Sequence, residues 1–260
     1  MIEDFKILPV PKHKAKFIKP FDEWNFTFHG QYWRIRDMFY DLDEFVEVLK
    51  CYPIEDYNNA GSASDPNPFA QTSISHWIFS PIAEQIRHFI MVNHFKQSVD
   101  VGLHDERFSE WGNIYVKDKC RPVGCWQMPH RDFGTDEGFI ANLWLSHHEE
   151  NETGTNFFKY KGTIDEGRYD FQIDPSHHRY KEWHSWHGDG TNHDDGWINF
   201  DSDKQRHWGF IKTGFAAAEY GTMTLYNANT IHAPWIPESV EWRWSHCFGF
   251  KYTPLRNVPR

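Results

Sequence analysis

The spacing H-x-D occurs at His130/Asp132, His187/Asp189 and His193/Asp195. An imidazole and a carboxylate so spaced can meet one metal ion when a strand carries them, because side chains i and i+2 share a face. The flanking residues separate the copies. His187 and His193 lie in HSWHGDGTNHDDG, where no apolar strand would hold a ligand pair rigidly, and His184 there reads as another solvated loop histidine. His130 closes the apolar run VGCWQMP and is followed, after FGTDEG, by the strand-like FIANLWLS. The first copy is therefore the candidate, with Arg131 turned away from the metal.

A third ligand must come from elsewhere, and His232 follows the β-rich run TMTLYNANTIHAPW. Two imidazoles and one carboxylate leave adjacent coordination positions open, the set associated with oxygen-activating non-haem Fe(II). Zinc is the main competitor on ligand type alone. Beyond His232, Arg243 and Ser245 share one face of the strand-like EWRWSHCFGFKY. An arginine grips a carboxylate bidentately and a hydroxyl adds a directional donor. Facing a barrel interior, an arginine is costly unless an anion meets it. A dicarboxylate that chelates the metal through a keto-acid end would reach Arg243 with its far carboxylate.

The elements that position these residues follow from periodicity. Phe39 to Lys50 has apolar residues at helical intervals, acids early and a lysine late, and reads as an amphipathic helix. A second helix is expected from Ser80-Pro81, a cap and a first-turn proline, through IAEQIRHFIMVNHF. From Gly112 the pattern changes to short β-favouring runs: NIYVK, VGCWQM, FIANLWL, TNFFKY, TMTLYN and RWSHCFGFKY. These predict an antiparallel sandwich or barrel. Residues 161–209 show no clear period and read as an insertion of the kind that forms a lid.

The pattern His130-Arg131-Asp132, distant His232 and Arg243-Trp244-Ser245 resembles the Fe(II)/2-oxoglutarate-dependent oxygenase superfamily. The Arg243 spacing is closest to the phytanoyl-hydroxylase branch. NLWLSHHEENETGTNFF resembles the family's strand, acidic turn and glycine before the next strand. The resemblance covers residues 112–252. It implies a mainly β fold with flanking α, a cupin-like double-stranded β-helix or jelly roll, with iron at one mouth of the barrel. It implies Fe(II) on His130, Asp132 and His232, and 2-oxoglutarate held by Arg243 and Ser245. Tyr115 and Asn142 are candidate co-substrate partners, with Trp144 on the Asn142 face. Hydroxylation of a small molecule or a peptide side chain is the implied reaction. The alternative is a non-catalytic jelly-roll module that binds metal or ligand. His130-Arg131-Asp132 also matches a kinase catalytic loop, but no Gly-rich phosphate loop or D-F-G accompanies it.

Composition bounds the rest. At 260 residues the chain fits one domain, with residues 1–111 as helical support and 112–252 as the barrel around the insertion. Its 22 Phe, 13 Trp and 11 Tyr supply the area for an aromatic-rich core. A formal charge of -10 opposes the attraction to phosphate behind non-specific nucleic-acid binding, so a nucleic-acid substrate is disfavoured. The four cysteines show no C-x-x-C spacing, and no run reaches the roughly 20 apolar residues of a bilayer span. The opening MIEDFKILPVPKHK lacks the apolar stretch of a secretory signal. The expectation is a soluble, cytoplasmic protein.

Overall fold

The structure is a computed structural model, and it describes residues 17–50, 70–72, 75–93, 108–117, 129, 131–132, 137–149, 152–160, 210–237 and 239–252. Strands β1 (Asn25–Phe28) and β2 (Tyr32–Arg36) precede helix α1 (Leu42–Lys50). Strand β3 (Ala70–Thr72) and helix α2 (Ser75–Asn93) follow. Then come β4 (Phe108–Lys117), β5 (Glu137–Trp144), β6 (Gly154–Tyr160), β7 (Phe210–Ala217), β8 (Met223–Asn227), β9 (Ile231–Trp235) and β10 (Arg243–Tyr252). One sheet has the order β1-β2-β8-β5-β10-β4-β3 and the other β7-β6-β9, and every pairing is antiparallel. The two sheets face one another, with Tyr32 of β2 stacked on Phe157 of β6 and Phe157 set edge-on to Tyr226 of β8. This is the antiparallel sandwich expected from the strand pattern and the jelly roll that the resemblance implies, flanked by helices.

Alternation along the larger sheet separates its faces. Phe139, Ala141, Leu143, Met223, Leu225, Phe248 and Phe250 point outward into one buried apolar cluster. Helix α1 adds Phe45, Val46 and Leu49 to it, and α2 adds Ile82, Ala83, Ile86 and Ile90. Each of the larger side chains removed from water contributes about 1.5–3 kcal/mol before entropy is charged, so this layer is what holds the sheet in place. The alternate residues Asn142, Trp144, Thr224, Tyr226, Arg243, Ser245 and Cys247 face the barrel interior. A strand whose outward residues are apolar and inward ones polar serves a site, since polar groups in a plain core would only cost free energy.

Several expectations shift. Helix α1 starts at Leu42, where Asp41 accepts the Glu44 N–H at 2.8 Å as a cap, rather than at Phe39. Helix α2 starts at Ser75, so Pro81 lies inside it instead of in its first turn. The missing N–H costs one helical bond, and the buried row Ile82, Ile86 and Ile90 outweighs it by anchoring the helix to the sheet. The helix ends at Asn93, short of Phe95, where the Asn93 amide donates to the Phe89 carbonyl. Residues before 112 supply strands as well as helices, and β1 and β2 extend the larger sheet. The expected strand VGCWQM and the insertion at 161–209 lie outside the described residues.

Candidate active site

His232 sits on β9, paired across β6 with Phe157, and is 5% exposed. Its Nδ1 lies 2.9 Å from the Thr230 carbonyl, and its Nε2 lies 3.1 Å from Oδ2 of Asp132. A carbonyl only accepts, so Nδ1 carries a proton and the other nitrogen is turned to a carboxylate. That arrangement is favourable only with a cation between or on the pair: a proton, or a metal ion. Burial pulls the His232 pKa down, but the charge and hydrogen bond of Asp132 and the Thr230 carbonyl outweigh it, so the value is raised. Two donors each about 2.1 Å from one ion at a right angle stand about 3.0 Å apart, close to the spacing found here. The pair therefore fits a metal. His130, the third candidate ligand, lies outside the described residues, and no cluster of three ligating side chains occurs among the described ones.

Arg243 opens β10 and is 4% exposed. Its Nη1 donates to Thr153 Oγ1 at 3.3 Å and to the Trp235 carbonyl at 3.4 Å. Its guanidinium carbon stands 4.7 Å from the centroid of the Trp144 ring. Nε is buried without a hydrogen-bond partner, and no carboxylate among the described residues pairs with the side chain. Burial lowers its pKa to about 9. A buried cation costs several kcal/mol unless an anion compensates it, so an anion brought beside it would offset that cost.

The other expected residues fall on the same wall. Ser245 is buried and directly opposite Trp144 on one side and Tyr115 on the other. This register puts the Tyr115 backbone level with Ser245. Asn142 pairs with Cys247 and Thr224, and its amide donates to the Tyr226 hydroxyl at 3.2 Å. Trp144 donates its indole N–H to Thr224 Oγ1 at 3.2 Å, so the ring is held where Arg243 covers it. The structure thus brings Asp132 to His232, and Asn142, Trp144, Arg243 and Ser245 to one interior face.

Sequence reading missed Thr153, Thr224 and Tyr226. Thr153 donates to the Trp235 carbonyl at 2.6 Å and so stands ready to accept from Arg243. Tyr226 is 1% exposed and lies edge-on to the His232 ring at 4.7 Å. Burial raises its pKa well above the ordinary value, with the charge of Asp132 acting the same way, so it is a phenol and a donor. The alternation Met223, Thr224, Leu225, Tyr226 carried a period-two signal for the last two. Thr153 lies in a turn and had none. The Cys247 thiol is likewise pushed up by burial and by Asp132, which keeps it protonated and unreactive.

No family model and no curated protein sequence matches this chain. Solved structures do resemble it. EvdO2 from Micromonospora carbonacea var. aurantiaca is 10% identical over 94% of this chain and 91% of its own, with a TM-score of 0.45. The epimerase SnoN in complex with Fe3+, alpha-ketoglutarate and nogalamycin RO is 11% identical over 82% of this chain and 77% of its own, with a TM-score of 0.45. HygX from Streptomyces hygroscopicus with iron bound is 11% identical over 90% of this chain and 84% of its own, with a TM-score of 0.43. The likeness is one of overall chain course.

Proposed function

We propose that this chain is an Fe(II)- and 2-oxoglutarate-dependent oxygenase that hydroxylates a small molecule or a peptide side chain. The observation that supports it is the pairing, within one barrel, of a histidine-carboxylate couple spaced for a metal with a buried arginine that has no acidic partner among the described residues. His130, Asp132 and His232 would hold the iron. Bound iron and 2-oxoglutarate would supply oxidative decarboxylation coupled to oxidation of an unactivated C–H bond.

The side chains divide the remaining work. Arg243, braced by Trp144, Thr153 and the Trp235 carbonyl, would neutralise the far carboxylate, with Ser245 beside it. Thr230 fixes the His232 tautomer so that Nε2 faces the metal position. Tyr32, Phe157 and Tyr226 pack in one buried cluster between the sheets and would exclude water there. The acidic net charge favours a substrate other than nucleic acid, and no described helix is long and apolar enough to cross a membrane. A cytoplasmic location belongs to the same proposal.

The test is succinate release from 2-oxoglutarate by the full chain under air, with and without Fe(II), alongside a calorimetric titration of the Mn(II)-loaded protein with 2-oxoglutarate. Metal-dependent binding and succinate release are expected. Absence of 2-oxoglutarate binding to the metal-loaded protein would overturn the reading, while binding without turnover would favour the ligand-binding module.

A further inference from the structure

We propose that Tyr226, oriented by Asn142, donates a hydrogen bond from its hydroxyl to the metal-chelating end of the co-substrate, opposite the end that Arg243 takes. This deepens the oxygenase reading and rests on it.

The first ground is hydrogen-bond accounting. The Asn142 amide donates to the Tyr226 oxygen, so the phenolic proton is not used in that contact, and it has no acceptor among the described residues. The hydroxyl belongs to a side chain 1% exposed. A buried donor left without an acceptor costs on the order of a lost hydrogen bond, so an oxygen atom brought into the barrel beside it gains that contact. Asn142 holds the oxygen in place and thereby restricts where the proton can point.

The second ground is position. Arg243 is level with Lys117 of β4, Ser245 with Trp144, Cys247 with Asn142, and Gly249 with Ile140, which is in turn opposite Tyr226. Six residues of β10, on the order of 20 Å of strand, separate the rows of Arg243 and Tyr226. The side chains close that distance from both ends. Arg243 leans over Trp144, and Tyr226 reaches Asn142, in neighbouring same-face rows. What remains is about one same-face row spacing, roughly 7 Å, the length scale of a five-carbon diacid. The Tyr226 ring also lies edge-on to His232, with the ring centroids 4.7 Å apart. The hydroxyl therefore belongs to the metal end of the span and the guanidinium to the other.

Two ligands separate the ends: 2-oxoglutarate carries both, and oxalate carries the chelating end alone. Anaerobic calorimetry on the Mn(II)-loaded full chain would compare the wild type with Tyr226→Phe and Arg243→Leu. Tyr226→Phe should weaken both ligands by about ten- to a hundredfold, the range for a hydrogen bond to a charged group, with Mn(II) affinity unchanged. Arg243→Leu should weaken 2-oxoglutarate and leave oxalate within about threefold, a difference of ~0.6 kcal/mol. If Tyr226→Phe fails to fold or to hold Mn(II), Asn142→Ala, which removes the orienting donor, should weaken both ligands in the same direction by a smaller factor. Wild-type affinities in the Tyr226 and Asn142 variants, a loss in those two confined to 2-oxoglutarate, or no oxalate binding by the wild type each overturn the inference. Failure of the wild type to bind 2-oxoglutarate is a different result and removes the oxygenase reading itself.

Discussion

The guanidinium of Arg243 lies over the indole of Trp144, 4.7 Å from its centroid, and the indole N–H is tied to Thr224 at 3.2 Å. The guanidinium proposed to meet the anion is thus fixed by two strands besides its own, β5 and β8. Removing the cation should cost far more than loosening its support. Arg243→Leu should weaken 2-oxoglutarate by roughly 2–5 kcal/mol. Trp144→Phe keeps an aromatic face but loses the Thr224 bond, and should cost about 0.5–1 kcal/mol. Calorimetric affinities of the Mn(II)-loaded variants check both, and equal losses would show that Trp144 does more than support the cation.

Gly154 opens β6 against β7, and a Cβ there would stand 2.1 Å from the Ala216 carbonyl oxygen. Backbone cannot give way as a flexible side chain does. Gly154→Ala should therefore separate β6 from β7 locally and destabilise the protein by about 1–3 kcal/mol or more, read from the urea midpoint. Because β6 also carries β9 and its His232, Mn(II) affinity should fall with it.

How much of this the sequence showed can be seen from these residues. His232, Arg243, Ser245 and Asn142 were legible because period-two alternation and ligand chemistry both point to them. Gly154 was legible as the glycine preceding a strand, but its reason, a neighbouring carbonyl, comes only from the sheet pairing. Strands β1 and β2 were not read, since Asn25 to Phe28 is largely exposed and shows little alternation of burial. Tyr226 was passed over because its meaning depends on Asn142, distant in sequence and adjacent only across β5 and β8. Contacts between strands far apart in the chain leave no local pattern, so supports such as Thr153 needed the fold.

Glu219 joins the turn before β8 to β2, accepting from Arg36 at 2.8 Å and from Arg34 at 3.0 Å. The Arg36 hydrogen bond, opposed by burial and aided by both charges, lowers its pKa below the ordinary carboxylate value. A depressed folded value means the stabilisation is present above the unfolded pKa, about 4.3, and is lost as pH falls through the folded one. Glu219 is 45% exposed, so solvent screening limits the effect to less than about 1 kcal/mol. Glu219→Gln should lower the melting temperature at neutral pH slightly and have no effect well below pH ~4. An unchanged difference across that range would assign the loss to packing.

The couple of Asp132 and His232, proposed to hold the metal, yields the strictest comparison. Asp132→Asn is nearly isosteric, so any loss reflects charge and ligand chemistry more than shape, and a neutral amide is a poor substitute for a carboxylate at a divalent ion. His232→Ala removes the imidazole whose Nδ1 is already committed to Thr230, so no other group on β9 replaces it. Both variants should keep the fold by circular dichroism, because the apolar layer of α1, α2 and the larger sheet lies on the opposite face. Both should lose Mn(II) binding by at least about tenfold, the lower bound for disturbing a ligand or its support. His130→Ala should behave like them, and His187→Ala should bind as the wild type does. Metal loss in the His187 variant with retention in the Asp132 and His232 variants would move the metal to another of the H-x-D copies and leave Arg243 without its proposed purpose.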